Sequence, residues 1–167
     1  MQDVEVEYRA RGRGLVRAVA GVDLQVEAGE VVGLVGESGC GKSSLARVAA
    51  GLAAPSGGRV LFDGVPVEPV RWRRRPSAQT RLQMIFQDPG GSLNPRRSIE
   101  SQILDGIGSE VTGAARKARV VQLLERVGMS AAAGRRYPHQ VSGGQRQRMA
   151  IARALAAEPE LIIADEP

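Results

Sequence analysis

The stretch Gly36-Glu37-Ser38-Gly39-Cys40-Gly41-Lys42-Ser43 decides the fold. It fits G-x-x-x-x-G-K-[ST] and lies between a strand-like apolar run, Val31 to Val35, and a helix-like run, Ser44 to Ala50. Its three glycines allow successive N–H groups to turn inward into a nest, and a helix starting here points its positive end at the same spot. A polyphosphate suits such a cradle. Lys42 is placed to neutralise the outer phosphates, and the Ser43 hydroxyl to ligate a Mg²⁺ that takes its other ligands from phosphate and water. The plainer alternative is a glycine-rich turn that only caps a helix. Against it stands residue choice: 21 arginines and 2 lysines make up the 23 basic residues, and the loop holds one of the two lysines. A compact ammonium fits a tight phosphate cradle where a planar guanidinium does not.

Working outward, Val31 to Val35 reads as a fully buried strand feeding the loop. Upstream, Val4 to Tyr8 and Leu24 to Val26 alternate like half-buried strands around the turn-rich Arg11-Gly12-Arg13-Gly14, which predicts a small antiparallel β region. Tyr8, at the end of the first strand, offers its ring either to packing or to stacking on a base. Downstream, Pro55-Ser56-Gly57-Gly58 breaks the pattern, Arg59 to Phe62 is strand-like and Asp63-Gly64 is a turn. Leu82 to Phe86 is a short apolar strand that ends at Gln87-Asp88-Pro89-Gly90-Gly91. A strand running into a polar residue and a Pro/Gly loop is where α/β proteins place site residues, so Gln87 either reaches a metal or water or simply forms the turn.

From Ile99 to about Met129 the pattern is helical, with Val120, Leu123, Leu124 and Val127 on one face, and it predicts a helical insertion between strands. Arg135 to Gln140 is polar. His139 is the single histidine and has no Cys or His neighbours, so it reads as a loop residue and not a metal ligand. Ser142-Gly143-Gly144-Gln145 then opens a helix expected over 146–157. Ser142 with Gln145 is an S-x-x-Q capping box, while the two glycines leave bare N–H groups at a positive helix end; cap and phosphate contact both stay open. Leu161-Ile162-Ile163-Ala164 reads as a buried strand ending in Asp165-Glu166-Pro167. In a phosphate-loop protein, an Asp there can hold the hydration shell of Mg²⁺ and the next Glu can orient or deprotonate an attacking water.

A chain of 167 residues, 43% hydrophobic and 25% charged, is long enough for one domain with its own core. No apolar run approaches the ~18 residues needed to span a bilayer, and the start alternates acidic and apolar residues, so the chain is expected to be neither exported nor membrane-spanning by itself. The single cysteine, Cys40, suits a reducing compartment. A net charge of +5 permits an anionic partner. The densest basic cluster, Arg71, Trp72, Arg73, Arg74 and Arg75, reads first as a solvated face or connector.

These features in this order resemble the ATP-binding cassette (ABC) ATPases, with Gly36 to Ser43 as Walker A, Gln87 as the Q-loop glutamine, Ser142 to Gln145 as the signature and Leu161 to Glu166 as Walker B. Ile85-Phe86-Gln87-Asp88-Pro89, Ser92-Leu93-Asn94-Pro95 and Arg136-Tyr137-Pro138-His139-Gln140 look like the ATPase subunits of dipeptide, oligopeptide and nickel importers. The resemblance implies an α/β fold: a P-loop NTPase (RecA-like) core with an N-terminal antiparallel β region and a helical insertion subdomain, incomplete at the C-terminus. It divides the chain by role into 1–87, 88–141 and 142–167. It implies ATP and Mg²⁺ as cofactors, with nucleotide contacts from Tyr8, Gly36, Glu37, Ser38, Gly39, Cys40, Gly41, Lys42, Ser43 and Ser44. Ser43, Gln87 and Asp165 would serve the metal, and Glu166 and Gln87 catalysis. Ser142, Gly143, Gly144 and Gln145 would serve the nucleotide of a second ABC ATPase subunit in a head-to-tail homo- or heterodimer.

By the same resemblance, the pair would drive transmembrane permease subunits and, indirectly, a solute-binding protein, from a cytoplasmic position peripheral to the inner face of the cell membrane. No direct nucleic-acid partner is expected. The alternative, a nucleic-acid-associated ABC protein, would carry a coiled-coil or zinc insertion, and the interval between Walker A and the signature has neither Cys pairs nor heptads. Two departures stand out. Val141 replaces the usual Leu of the signature, and family members continue past Walker B into a D-loop, a further strand and a switch histidine. The expectation is therefore a truncated form that binds nucleotide weakly and hydrolyses it near background.

Overall fold

The computed structural model describes residues 1–10, 14–69 and 81–166. They form two units, Met1–Gln79 and Thr80–Pro167. The Arg71–Arg75 cluster and residues 11–13 of the expected Arg11–Gly14 turn lie outside the described residues.

In the first unit, β1 (Gln2–Ala10) pairs antiparallel with β2 (Gly14–Val22) and, on its other edge, with β3 (Gly57–Arg59). The antiparallel β region is as expected, but its second strand is Gly14–Val22, and Leu24–Val26 lies outside any strand. The physical reason is register: Gly14, with a left-handed φ of 76°, already pairs with Ala10, and the ladder runs on until Val22 stands opposite Val4. Helix α1 (Lys42–Ala49) buries Leu45 and Val48 against Val4, Val6, Val19 and Val60. Each fully buried side chain of that kind contributes about 1.5–3 kcal/mol. The expected strand Arg59 to Phe62 is divided between β3 and β4 (Leu61–Phe62), and β4 pairs with β5 (Val65–Pro66) across the Asp63-Gly64 turn. Both turn residues have positive φ, 52° and 76°, as a two-residue hairpin demands.

Val31 to Val35 departs most from expectation. It is not a buried strand: no described strand pairs with it, and Val31 and Val35 are 97% and 94% exposed. A fully apolar parallel strand needs neighbours on both edges and cover on both faces. In its own unit the edges of β1 are taken by β2 and β3, and the apolar face of α1 by the β1 side of that sheet.

In the second unit, β6 (Leu82–Ile85) and β7 (Leu161–Ala164) pair in parallel, with Leu82 opposite Leu161 and Ile85 opposite Ala164. Between them in sequence come a helical turn at Pro89–Ser92, α2 (Ile99–Leu104), α3 (Gly113–Arg126), two 3₁₀ turns at Ala131–Arg135 and Pro138–Gln140, and α4 (Gly143–Leu155). The helical region is thus real but broken after Leu104. The predicted face of α3 is inward: Val120, Leu123 and Leu124 are buried with Ile99, Ile103 and Met149, and Val127 packs at the margin. β7 is less buried than its composition suggests. Leu161 and Ile163 are half-buried while Ile162 is 40% exposed, because the strand has a described neighbour on one edge only.

One buried polar residue organises the loop before α2. Gln102 accepts from the Asn94 N–H and donates from Nε2 to the carbonyls of Asn94 and Arg97, at 2.7, 3.0 and 3.0 Å. Buried polar groups must be paired, and this amide spends its capacity fixing the Asn94–Arg97 backbone. Arg97 in turn grips Asp105 through both nitrogens and donates to the Ser101 carbonyl.

Candidate functional site

The loop ahead of α1 is built by backbone, not by side-chain caps. Glu37 to Cys40 forms a turn closed by Cys40 N–H to Glu37 O (3.3 Å), and Gly39 and Gly41 have φ of 81° and 103°. Gly41 occupies the N-cap position of α1, where no side chain caps the helix. A Cβ at Gly41 would collide with the carbonyl oxygen of Ala18 on β2, so only glycine fits. The first N–H groups of α1 therefore have no side-chain acceptor at the cap, and an anion is the natural one.

Lys42 is folded over this loop. Its Nζ donates to the carbonyls of Gly36 and Glu37, both at 2.8 Å, and stands 3.9 Å from Cys40 Sγ. The ammonium thus sits on the loop's own carbonyls, beside the uncapped start of α1 where a phosphate group would meet it. Ser43 and Ser44 follow on the first turn, half-buried, and Ser38 and Cys40 are exposed. Tyr8, in the same unit, lies on β1 opposite Val16 with its side chain 43% exposed.

The second unit carries the other predicted residues. Parallel pairing sets Ile85 against Ala164, so Gln87 and Glu166 each stand two residues past the last paired position. The Asp165 N–H extends the ladder by donating to Ile85 O at 2.9 Å. Side chains two residues apart share a face, and here they meet: Gln87 Nε2 donates to Glu166 Oε2 at 2.5 Å. The backbone of Glu166 is left-handed, with φ of 47°, directly before a proline. That conformation costs of the order of 1–3 kcal/mol in a residue with a side chain, and such outliers gather at functional sites. The sequence pointed to both residues but not to their contact; the signal that could have found it is their equal distance from the ends of two strands that pair in register.

The S-x-x-Q box forms as expected. Gln145 N–H donates to Ser142 Oγ at 3.3 Å, and Ser142 N–H donates to Gln145 Oε1 at 3.1 Å. Gly143 and Gly144 are exposed, have no left-handed φ, and would find nothing within 4 Å of an added Cβ. Nothing in their surroundings demands glycine. His139 stacks on Tyr137, ring centroids 5.7 Å apart, in the 3₁₀ segment before the box. At the far end of α4, Arg153 donates to the carbonyl of Ser92, and burial pushes its guanidinium pKa down. The hydrogen bond from Arg97 holds the Asp105 carboxyl below the usual carboxylate range, and that carboxylate raises Arg97 in return.

Oxygen donors at Ser43 and Asp165 have the hard chemistry Mg²⁺ prefers. Among the described residues no group of three or more His, Cys, Asp or Glu side chains could hold a metal, so a cation would take most of its ligands from phosphate and water. None of the described helices is long and apolar enough to cross a membrane.

Comparison with known proteins places these features. The ABC transporter family model matches residues 19–167. The chain is 44% identical over 170 residues to the putative oligopeptide transport ATP-binding protein YkfD of Bacillus subtilis, covering all of this chain and 52% of that protein. It is 47% identical to the oligopeptide transport ATP-binding protein OppF of the same organism, over 93% of this chain and 52% of that one. Against the nickel import ATP-binding protein NikE of Pseudomonas putida it is 45% identical, over 93% of this chain and 58% of that one. The chain spans about half the length of the curated relatives it matches. Among solved structures, the ATP-binding cassette MJ0796, dimeric and bound to ADP and Pi, superposes with a TM-score of 0.83 at 28% identity, over 98% of this chain and 72% of that one. The cbiO1 subunit of the Clostridium perfringens complex cbiONQ superposes with 0.76 at 29% identity, over 99% and 64%. The G-x-x-x-x-G-K-S loop, the S-G-G-Q helix start and the strand ending in Asp-Glu therefore lie on a cassette fold of the P-loop NTPase class, and the chain belongs to the ABC transporter family.

Proposed function

We propose that the chain is the nucleotide-binding part of an ABC-type ATPase subunit that powers import of peptides or a related small solute. The observation that carries this is the loop at 36–43: an uncapped, glycine-built helix start with an ammonium folded onto its carbonyls. ATP binds with its phosphates on the nest and Lys42, and Tyr8 offers an exposed ring to the base. Ser43, Gln87 and Asp165 would each serve Mg²⁺, and the ion would supply screening of the phosphate charge. Glu166 is the base for the attacking water and Gln87 its partner.

Gly143 and Gly144 support a second subunit. Neither their φ nor their surroundings requires glycine, so the requirement comes from close approach by another molecule, here the nucleotide of a partner cassette. The dimeric cassette bound to ADP and Pi and the membership of cbiO1 in a transporter complex favour the same arrangement. The relatives' names favour permease subunits as the partners driven, a solute-binding protein upstream of them, and a peripheral place on the cytoplasmic face of the membrane. No observation favours the nucleic-acid alternative.

The test is equilibrium binding of Mg-ATP by the intact protein and its Lys42→Ala variant. Loss of the ammonium is expected to weaken binding about a hundredfold, since one charge-assisted phosphate contact disappears. Equal affinities would overturn the assignment of the loop.

A further inference from the structure

We propose that the stacked Tyr137–His139 pair is a platform for the base of a partner subunit's nucleotide, the one whose phosphates the proposed function places on Gly143 and Gly144. The platform rests on that reading and extends it from the phosphates to the base.

Tyr137 and His139 are both exposed, with ring centroids 5.7 Å apart and planes inclined by 24°. Neither ring belongs to the buried core. The 3₁₀ turn that carries them is anchored instead by the buried Pro138 and by its own backbone, where Gln140 N–H donates to Tyr137 O at 2.9 Å and Tyr137 N–H donates to Gln140 Oε1 at 2.8 Å. Upstream, Ile99 N–H donates to Arg136 O at 2.9 Å; downstream, Val141 is buried in the helical core. The turn is therefore held at both ends. A stacked pair has two outer faces, and one fixed on a rigid turn at the surface is preorganised to receive another flat ring.

Position selects the ligand. Only four steps of chain separate His139 from Gly143, at most about 14 Å even when fully extended. Buried Val141 and the Ser142/Gln145 box fix that span. A nucleoside triphosphate laid with its phosphates on Gly143 and Gly144 thus has its base within range of the pair. Arg135 and Arg136, exposed and next in the chain, add positive charge, which favours an anionic heteroaromatic ligand over a neutral one. Stacking on such a surface supplies affinity without a hydrogen bond to the base edge.

The experiment follows dimerisation of the intact protein in Mg-ATP by sedimentation, and the adenine H2 and H8 resonances of the bound nucleotide by NMR. The double variant Tyr137→Ala/His139→Ala is expected to weaken ATP-driven dimerisation about 10-fold while monomer affinity for Mg-ATP stays within about twofold. Tyr137→Phe keeps the ring and should dimerise like the wild type. A double variant that dimerises as tightly as wild type, or a loss equally large in Tyr137→Phe, would overturn the platform. In the wild type, the adenine resonances should move upfield on passing from monomer to dimer, through the ring currents of the added pair; unmoved resonances would overturn it without recourse to any variant. A wild-type protein that stays monomeric in saturating Mg-ATP defeats the partner-nucleotide reading and the platform with it, whereas a dimer that forms with unmoved adenine resonances leaves that reading standing and defeats the platform alone.

Discussion

Two helices in this molecule begin at glycine pairs, and they begin differently. At α1, Gly39 and Gly41 hold left-handed backbones, no side chain caps the helix, and a Cβ at Gly41 has nowhere to go. At α4, Gly143 and Gly144 follow a complete Ser142/Gln145 box, their φ values are ordinary, and the space around them is open. The first start needs glycine to fold and has no side-chain cap. The second is fully capped and nothing around its glycines demands that residue, which the proposed close approach of a partner's nucleotide would explain. Identical residue types thus stand under two different constraints.

The sharpest way to break that contrast is Gly41→Ala. The added methyl meets the Ala18 carbonyl at a left-handed backbone, and a loss of about 3 kcal/mol or more in stability is expected, together with loss of Mg-ATP binding. Thermal unfolding and nucleotide titration of the same variant check both; a variant as stable as wild type would erase the distinction. Gly144→Ala should do the reverse. Alanine at an exposed first-turn position leaves stability unchanged or raises it by up to about 1 kcal/mol, and the monomer binds Mg-ATP as before. What should disappear is ATP-dependent dimerisation, measured by sedimentation. A destabilised Gly144→Ala protein would show that the second start is as constrained as the first.

The smallest effect tests the frame around α2. Asp105 is held below its ordinary range by the hydrogen bond from Arg97, so the pair's contribution is present at neutral pH, above the unfolded value, and is lost as pH falls through the lowered folded value. Both side chains are substantially exposed, and Asp105→Asn is expected to lower the melting temperature at pH 7 by about a degree, with the difference vanishing in acid. A difference independent of pH would assign the effect to packing.

Much of this was legible in the sequence because local chemistry writes it there. The glycine-built start of α1, the S-x-x-Q box, the Asp63-Gly64 turn and the inward face of α3 each follow from a few neighbouring residues. What was not legible depended on partners distant in sequence. Val31 to Val35 has the composition of a central strand, but composition cannot say whether flanking strands are supplied. The second strand is Gly14–Val22 and not Leu24–Val26, and only pairing with β1 distinguishes the two stretches. The Gln87–Glu166 contact spans 79 residues and exists only through the register of β6 and β7.

The bond from Arg153 to the Ser92 carbonyl gives α4 a mechanical character. The helix is rigid over its 13 residues, about 20 Å, with the glycine start at one end and Arg153 near the other. Ser92 closes the helical turn that begins two residues after Gln87. A pull on the Ser142 end would therefore be felt at the Pro89–Ser92 turn, as a crank passes motion from one end to the other.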